Sequence, residues 1–310
     1  MLGRIVEIEG EGRRLSLERG FLAIAGPQGR LGEVPLDDIE AMILANPAAS
    51  LTCQAVAALA RRGAPLVICG GNFLPAAWLL PVDGHHAQGH RLTAQAEAPR
   101  PLRKRLWAEL VKAKVLAQAA ALDRAGDGPA PVRALAERVR SGDPDNVEGL
   151  AAQRYFPAMF GPDFRRNREA GGANAFLNYG YTVLRAATAR AVVAAGLHPS
   201  LSLHHSSRGD AMRLADDLME PFRPTVDLVA KELAGGGADE LDTAGKRLLA
   251  GVLHHDFATD EGASPLSNVL GRLAVSLAQV FTGERRELIL PLSPIPIQVP
   301  SAMALPAPGR

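Results

Sequence analysis

The sequence predicts a protein of several domains that combines α and β structure. A small N-terminal β-sandwich domain, residues 1–83, is expected to precede a larger all-α C-terminal domain, residues 100–288. A chain of 310 residues is long enough for about two domains. Short apolar segments broken by glycine-containing turns fill the first 80 residues, whereas beyond residue 100 the apolar residues recur at helical spacing.

The N-terminal segment is predicted to be rich in strands. Ser50 is expected to cap an amphipathic helix that ends at Gly63. Nothing in this segment has the pattern of a catalytic site, so we expect it to serve assembly. The candidate strands are Arg4–Glu9, Arg14–Glu18, Phe21–Ala25, Ile39–Leu44 and Pro65–Cys69.

Residues 84–99 are polar and contain glycine and histidine, which indicates a linker. His85, His86 and His90 have no Cys, Asp or Glu at a defined spacing, which favours loop residues over a metal site. Repeated prolines make residues 289–310 an extended tail. The helices predicted between them are Arg100–Leu122, Pro131–Val139, one that starts near Val147, Asn174–Gly196, Val226–Leu233, Asp242–His255 and Leu266–Phe281.

The net charge of +1 conceals an uneven distribution. Residues 100–190 hold 16 Lys and Arg against 9 Asp and Glu, whereas both flanking segments are slightly acidic. A basic segment beside an acidic site is typical of proteins that handle phosphodiesters, because the cations hold the nucleic-acid backbone. Arginines that merely solvate Ala-rich helices are the alternative. The candidate DNA contacts are Arg103, Lys104, Lys112, Arg165, Arg166 and Arg168.

The sequence also bears on the compartment. No apolar run approaches the roughly 18 residues of a membrane span, and Arg4 and Glu7 follow Met1 too closely for an apolar signal core. Cys53 and Cys69 have no metal-like spacing and suit a reducing compartment. We therefore expect a cytoplasmic protein that has no membrane partner.

The stretch Leu201–Asp227 combines imidazoles with carboxylates. His204 and His205 precede an acidic turn that holds Asp217 and Glu220. On a helix these two acids would be i,i+3 neighbours, whose charges repel unless a cation lies between them. One imidazole with carboxylate oxygens suits Mg²⁺ or Mn²⁺ better than structural Zn²⁺. A core histidine beside a solvated acidic turn is the alternative.

A third carboxylate is a candidate for the same site. Glu148 shares a predicted helix face with Ala151, Ala152 and Tyr155. A carboxylate aligned with packing residues is costly to bury unless it meets a cation. A glutamate in the first helical turn, favoured by the helix dipole, is the alternative.

Three motifs together resemble a known family. Leu214–Asp227 (Leu-Ala-Asp-Asp-Leu-Met-Glu-Pro-Phe-Arg-Pro-Thr-Val-Asp) closely resembles the metal-site segment of the CRISPR-associated adaptation integrases, the first-numbered Cas protein. Asn146–Phe156 (Asn-Val-Glu-Gly-Leu-Ala-Ala-Gln-Arg-Tyr-Phe) resembles the upstream Glu motif of that family, and Asn174–Tyr181 resembles its central helix. The resemblance is strong over residues 100–230 and looser over 1–99. The stretch Leu-Met-Glu-Pro-Phe-Arg is similar to the corresponding sequence in the type II branch of the family.

The resemblance implies a site. Carried onto matching positions, the catalytic and metal-binding triad of the family is Glu148, His205 and Glu220, with Mg²⁺ or Mn²⁺ as the cofactor. Many relatives have Asp where this chain has Glu220. Asp217 matches a second acid in some of them and is a candidate further ligand, and the spacing to Glu220 favours His205 over His204.

The resemblance also implies a function. The family joins the 3′-hydroxyl ends of a short DNA duplex to the CRISPR repeat by metal-assisted transesterification, which inserts a new spacer, and the isolated subunit is expected to cut DNA. The implied partners are a second copy, paired through the N-terminal domains, and a dimer of the second-numbered Cas protein that bridges two such homodimers. A metal-dependent nuclease for branched or repair DNA, or a catalytically silent DNA-binding scaffold, are the alternatives.

Overall fold

The N-terminal part of the chain is built from strands, as the sequence predicts. A computed structural model describes residues 4–46, 48–70, 75–82, 85–206, 211–238 and 240–298. The N-terminal elements are β1 (Arg4–Ile8), β2 (Arg14–Glu18), β3 (Phe21–Gly26), β4 (Gly29–Pro35), β5 (Ile39–Leu44), β6 (Ser50–Leu51), α1 (Cys53–Arg61), β7 (Leu66–Cys69) and β8 (Pro75–Leu79). They form two four-stranded sheets, in the orders β1-β5-β7-β8 and β4-β3-β2-β6.

Strand β5 joins two hydrophobic cores. It lies between β1 and β7, parallel to both, and every residue in it is buried. Because alternate side chains of a strand point to opposite faces, Met42 and Leu44 pack with residues of both sheets, such as Leu15. Ala41 and Ile43 pack instead in the core of the helical part. The sheet is therefore covered on both faces.

The cap of α1 differs from the prediction. Ser50 lies in β6, where it pairs with Arg14 and its backbone N–H donates to Arg13 O at 2.9 Å. The hydroxyl of Thr52 caps the helix instead, accepting from Ala55 N at 3.2 Å. Ser50 was wrongly predicted because the ladder pairing with β2 depends on a strand that is distant in sequence.

The rest of the described chain is mainly helical. Helix α6 contacts α7, α8, α9 and α10 and forms the centre of this part. At its crossing with α8, a side-chain Cβ on Gly180 would overlap Val226 Cγ1 and lie 3.2 Å from Leu249 Cδ2, so only glycine fits. The helices are α2 (Gln88–Glu97), α3 (Arg100–Ala125), α4 (Ala130–Arg133), α5 (Val147–Phe160), α6 (Ala173–Ala194), α7 (Arg213–Met219), α8 (Arg223–Gly235), α9 (Thr243–Ala250) and α10 (Leu266–Phe281).

Two segments predicted without regular structure contain it. Residues 84–99, predicted as a linker, hold helix α2, and only Gln95 is buried on it. This helix is not predicted from the sequence, because its residues form no apolar stripe. A hairpin of β9 (Asp256–Thr259) and β10 (Gly262–Pro265) lies between the predicted helices Asp242–His255 and Leu266–Phe281, where no helix or strand is predicted.

The described part of the tail is fixed to the helical part. Leu292 N donates to Ala258 O at 2.8 Å, and Arg124 donates to Pro296 O at 3.0 Å and to Ile297 O at 2.9 Å. Residues 299–310 of the predicted tail lie outside the described residues. Across the described ranges, no helix has the length and apolar character that crossing a membrane requires.

Candidate active site

A cleft of about 400 Å³ lies against α3, α6 and α7. His205 and Glu220, which the sequence singles out, line it. Lys114, Arg223 and Asp227 also line it, and the sequence reasoning assigned none of these three a role at the site.

Glu148 is held in the first turn of α5. The carboxylate of Asp143 accepts from the backbone N–H groups of Val147 at 2.8 Å and Glu148 at 3.0 Å. Asn146 caps the same turn by accepting from Gly149 N at 3.2 Å. Since these bonds satisfy the free N–H groups of the helix start, Glu148 is positioned independently of any ligand.

Lys114 on α3 joins the two glutamates. Its Nζ lies 2.6 Å from Glu148 Oε1 and 2.5 Å from Glu220 Oε2. Burial alone would lower the pKa of Lys114, but Glu220 and Glu148 hold it above its usual value. No sequence motif points to Lys114, although its spacing from the buried Leu110 and Val111, four and three residues earlier, places it on the buried face of the helix.

Glu220 is a buried carboxylate with two cationic partners. It begins a 3₁₀ turn after α7, and its side chain is 4% exposed. Arg223 Nε lies 2.9 Å from its other oxygen, Oε1. Burial by itself would raise the pKa of Glu220, but Arg223 and Lys114 bring it below the usual value. The carboxylate therefore stays ionised inside the protein.

Asp217 orients His205 and has no free oxygen. Its fully buried carboxylate accepts from Leu203 N at 2.6 Å, His204 N at 3.2 Å and His205 N at 3.3 Å. Its Oδ1 also lies 2.6 Å from Nδ1 of the His205 ring. Through these bonds Asp217 holds the imidazole ring of His205 in place. That Asp217 is a further metal ligand stays a prediction.

The His205 ring faces the glutamates. The hydrogen bond to Asp217 is the main reason that the pKa of His205 is raised, and the charges of Glu220 and Glu148 raise it further. His204 is exposed and stacks on the buried Trp107, with ring centroids 4.5 Å apart and an angle of 3° between the planes. The two histidines therefore have different surroundings, and the buried Trp107 is the surface on which His204 packs.

The candidate DNA contacts do not all lie at the cleft. Arg166 and Arg168 line it. Arg165 instead donates to carbonyl oxygens of its own loop, at Pro162 and Phe164. Lys112 lies 3.5 Å from Glu137, and Arg103 and Lys104, on the same helix, do not line the cleft either.

A buried acid supports the floor of the cleft. Asp227 accepts from the hydroxyls of Tyr155 at 2.9 Å and Tyr181 at 2.6 Å. Burial raises the pKa of Asp227 to about 6, although the two phenol hydrogen bonds and Arg223 oppose the shift. No sequence pattern joins these three residues, because they lie on three different helices, α5, α6 and α8.

The donor set fits a divalent cation. In the part of the chain that the structure describes, no three His, Cys, Asp or Glu side chains are gathered in a metal shell. However, Glu148 and Glu220 already face one cation, the ammonium of Lys114. With Nδ1 bound to Asp217, the Nε2 of His205 is the ring nitrogen left for a metal.

Comparison with known proteins decides the family. The sequence profile of the CRISPR associated protein Cas1 family matches residues 6–255. This chain belongs to the Cas1 family. The CRISPR-associated endonuclease Cas1 of Neisseria meningitidis is 40% identical over 253 residues, which cover 80% of this chain and 83% of that protein. The family suspected from the three motifs is therefore confirmed.

Solved structures confirm the Cas1 fold. A casposase bound to integration product has a TM-score of 0.79 at 22% identity, over 92% of each chain. A Cas1 protein from Thermotoga maritima has a TM-score of 0.75 at 15% identity, over 92% of this chain and 98% of that one. At such identities the likeness shows a shared fold alone. The β-rich N-terminal part and the larger helical part are those of a Cas1 protein.

Proposed function

We propose that this protein is a metal-dependent DNA endonuclease and integrase of CRISPR adaptation, which inserts short duplex DNA into a CRISPR array. The observation that carries the proposal is that the ammonium of Lys114 joins Glu148 to Glu220 at a basic cleft of a Cas1 chain. His205 and Glu220 line this cleft, and Glu148 reaches it through Lys114. The Neisseria relative is named an endonuclease, and the casposase is bound to an integration product.

Glu148, His205 and Glu220 are the proposed ligands of Mg²⁺ or Mn²⁺. A bound metal would polarise a phosphodiester and make a water or a DNA 3′-hydroxyl a better nucleophile. Asp217 holds the His205 ring through Nδ1, so that Nε2 faces the cleft. Arg223 keeps Glu220 ionised, so that a negative ligand is present before the metal arrives.

Arg166 and Arg168 are the proposed contacts to the DNA backbone. Both line the cleft, and the guanidinium of Arg166 is fixed by Asn174 Oδ1 at 2.9 Å and Asn178 Oδ1 at 2.6 Å. A fixed guanidinium binds phosphate oxygens at a small cost in side-chain entropy. A water that attacks the held phosphodiester cleaves one of its P–O bonds. A 3′-hydroxyl that attacks it forms a new P–O bond while the bond to the displaced strand breaks, and that strand leaves with a protonated hydroxyl.

Assembly is part of the proposal. We expect a homodimer formed through the N-terminal domains and a bridging dimer of Cas2, the second-numbered Cas protein, with the CRISPR repeat and a short duplex as DNA partners in the cytoplasm. One structural neighbour is a Cas6-RT-Cas1–Cas2 complex, with a TM-score of 0.73 at 17% identity over 93% of this chain and 36% of that one.

Three single variants test the proposal: Glu148→Ala, His205→Ala and Glu220→Ala. Each removes a proposed metal ligand, so each is expected to reduce strand transfer at least about a hundredfold while duplex binding stays nearly intact. Strand transfer would be measured with a labelled 3′-hydroxyl duplex and repeat DNA in Mg²⁺ or Mn²⁺, with and without Cas2.

His204→Ala is the matched control, because His204 is the adjacent imidazole and stacks on Trp107. It is expected to keep most of the activity. Undiminished strand transfer by all three ligand variants would refute the proposed site. Cleavage without joining, even when Cas2 and repeat DNA are present, would instead indicate a repair nuclease.

A further inference from the structure

Lys114 occupies the position between the two proposed acidic ligands. Its ammonium is 2.6 Å from Glu148 and 2.5 Å from Glu220, and its side chain is 10% exposed. An ammonium group carries one positive charge, and a divalent metal ion carries two. Both attract carboxylate oxygens at short range. The two cations cannot occupy this space together.

We propose that Lys114 is a built-in substitute for the metal ion. Its ammonium holds Glu148 and Glu220 together when no metal is bound, and it must leave before a divalent cation can bind. The inference rests on the proposed metal site. Lys114 thus acts as a positioning residue that preserves the acidic pair in the metal-free protein and sets the metal affinity.

The energetics of burial support this role. Glu220 is 3% exposed, and a buried carboxylate without a cation is strongly destabilising. Arg223 pairs with one oxygen of Glu220, and Lys114 pairs with the other oxygen and with Glu148, so two cations balance the charges of the two glutamates. When Lys114 leaves, Arg223 remains, and an arriving metal replaces the lost positive charge.

The structure also offers the displaced ammonium a destination. Gln118 follows Lys114 by four residues on α3, so the two side chains lie on the same face. The Oε1 of Gln118 is buried and has no hydrogen-bond partner among the residues that the structure describes, and both residues line the cleft. A lysine ammonium that turns away from the glutamates would satisfy this carbonyl oxygen.

Calorimetric titration of the full chain with Mn²⁺ tests the inference. Lys114→Met keeps the length of the side chain and removes its charge. Because no ammonium then has to be displaced, Mn²⁺ is expected to bind roughly tenfold more tightly than to the wild type. Lys112→Met is the control, since Lys112 is half-exposed two residues away and is expected to leave the affinity unchanged.

The outcomes separate the inference from the function on which it rests. Tighter binding to Lys114→Met supports the substitution of lysine for metal. Equal or weaker binding to this variant, with normal binding to the wild type, overturns the inference and leaves the metal site standing. If neither protein binds Mn²⁺, the proposed metal site falls and the inference falls with it.

A measurement on the wild type covers the case in which Lys114→Met does not fold. An amine-acetylating reagent would be applied with and without Mn²⁺, and the modified lysines quantified by mass spectrometry. We expect the metal to increase acetylation of Lys114 several-fold, because its ammonium is released into the cleft, and to leave that of Lys112 unchanged. Unchanged or slower acetylation of Lys114 overturns the inference.

Discussion

At the scale of single residues, the site depends on carboxylates with different neighbours and therefore different tasks. The carboxylate of Asp217 accepts hydrogen bonds from the loop that holds His205. The carboxylate of Glu220, three residues later, pairs with Lys114 and Arg223. Their i,i+3 spacing does not produce repulsion, because the helix ends between them and each carboxylate meets its own partners. Position along the chain alone does not reveal this division of tasks.

Asp227 gives a pH-dependent prediction at this scale. Its folded pKa is about 6 and its ordinary value 3.8. Between these values the folded state binds the proton and the unfolded state does not, so the stabilisation is fully present below 3.8 and is lost as the pH rises through 6. Relative to Asp227→Asn, the wild type should gain about 1.4 kcal/mol of unfolding free energy between pH 7.5 and pH 5.

Urea denaturation of both proteins at the two pH values, without added metal, measures this difference. The asparagine variant has the shape of Asp227 but cannot titrate, so the effects of all other groups cancel in the comparison. Its amide oxygen accepts from one of the two phenols, and its NH₂ group donates to the oxygen of the other. A difference that stays constant with pH, or grows in the opposite direction, would contradict the assignment of the raised pKa to Asp227.

At the scale of elements, α6 is the helix whose packing holds the site in place. It carries Tyr181, which binds Asp227, and Arg185, whose guanidinium bonds to Asp216 on α7 at 2.7 and 2.8 Å. The close crossing of α6 with α8 at Gly180 brings Asp227 within reach of Tyr181. A change in this crossing would move the floor of the cleft.

Gly180→Ala is therefore expected to destabilise the protein by about 1–3 kcal/mol, because the new methyl group overlaps Val226 and forces the helices apart. Helix propensity alone would favour alanine by about 1 kcal/mol. Gly271→Ala in α10, where a Cβ meets nothing within 4 Å, isolates that propensity term and should stabilise the protein. Unfolding midpoints in urea that shift equally for both variants would refute the close crossing.

Local patterns explain which elements could be predicted. Leu266–Phe281 has a clear apolar stripe, and the structure gives these same bounds for α10. Helix α2 buries only Gln95, so its partners are the backbone groups of a distant loop and its sequence resembles a linker. Likewise, local residue patterns and family motifs predict Glu148 and His205 as site residues. The position of Lys114 depends instead on two acids 34 and 106 residues away, which no local pattern joins to it.

At the scale of the whole molecule, polar contacts tie the sheet to the helical part. Tyr179 on α6 donates to Glu7 on β1 at 2.8 Å, and Lys246 on α9 lies 3.1 Å from the same carboxylate. Arg190 lies 3.4 Å from the buried Glu40 on β5. Together with the apolar face of β5, which packs in the helical core, these contacts make the two parts one structural unit.

We therefore expect the two parts to unfold in one transition. The chain has two tryptophans, Trp78 on β8 and Trp107 on α3. Trp107→Phe leaves Trp78, which reports on the contact between β8 and the helical core, and Trp78→Phe leaves Trp107, which reports on the inside of the helical part. In each variant the fluorescence midpoint in urea should coincide with the midpoint from circular dichroism. Separate midpoints would show that the parts unfold independently.

Helix α2 has a consequence for the modularity of the molecule. The side chain of Gln95 donates to His198 O at 3.0 Å and Leu201 O at 2.8 Å and accepts from His198 N at 2.8 Å. The segment that connects the two parts is thus a brace for the loop that presents His205. In a chimera that joins the N-terminal part of a relative at residue 99, helix α2 would come from the relative and would not be matched to this loop. An interchangeable catalytic module therefore has to begin before Gln88.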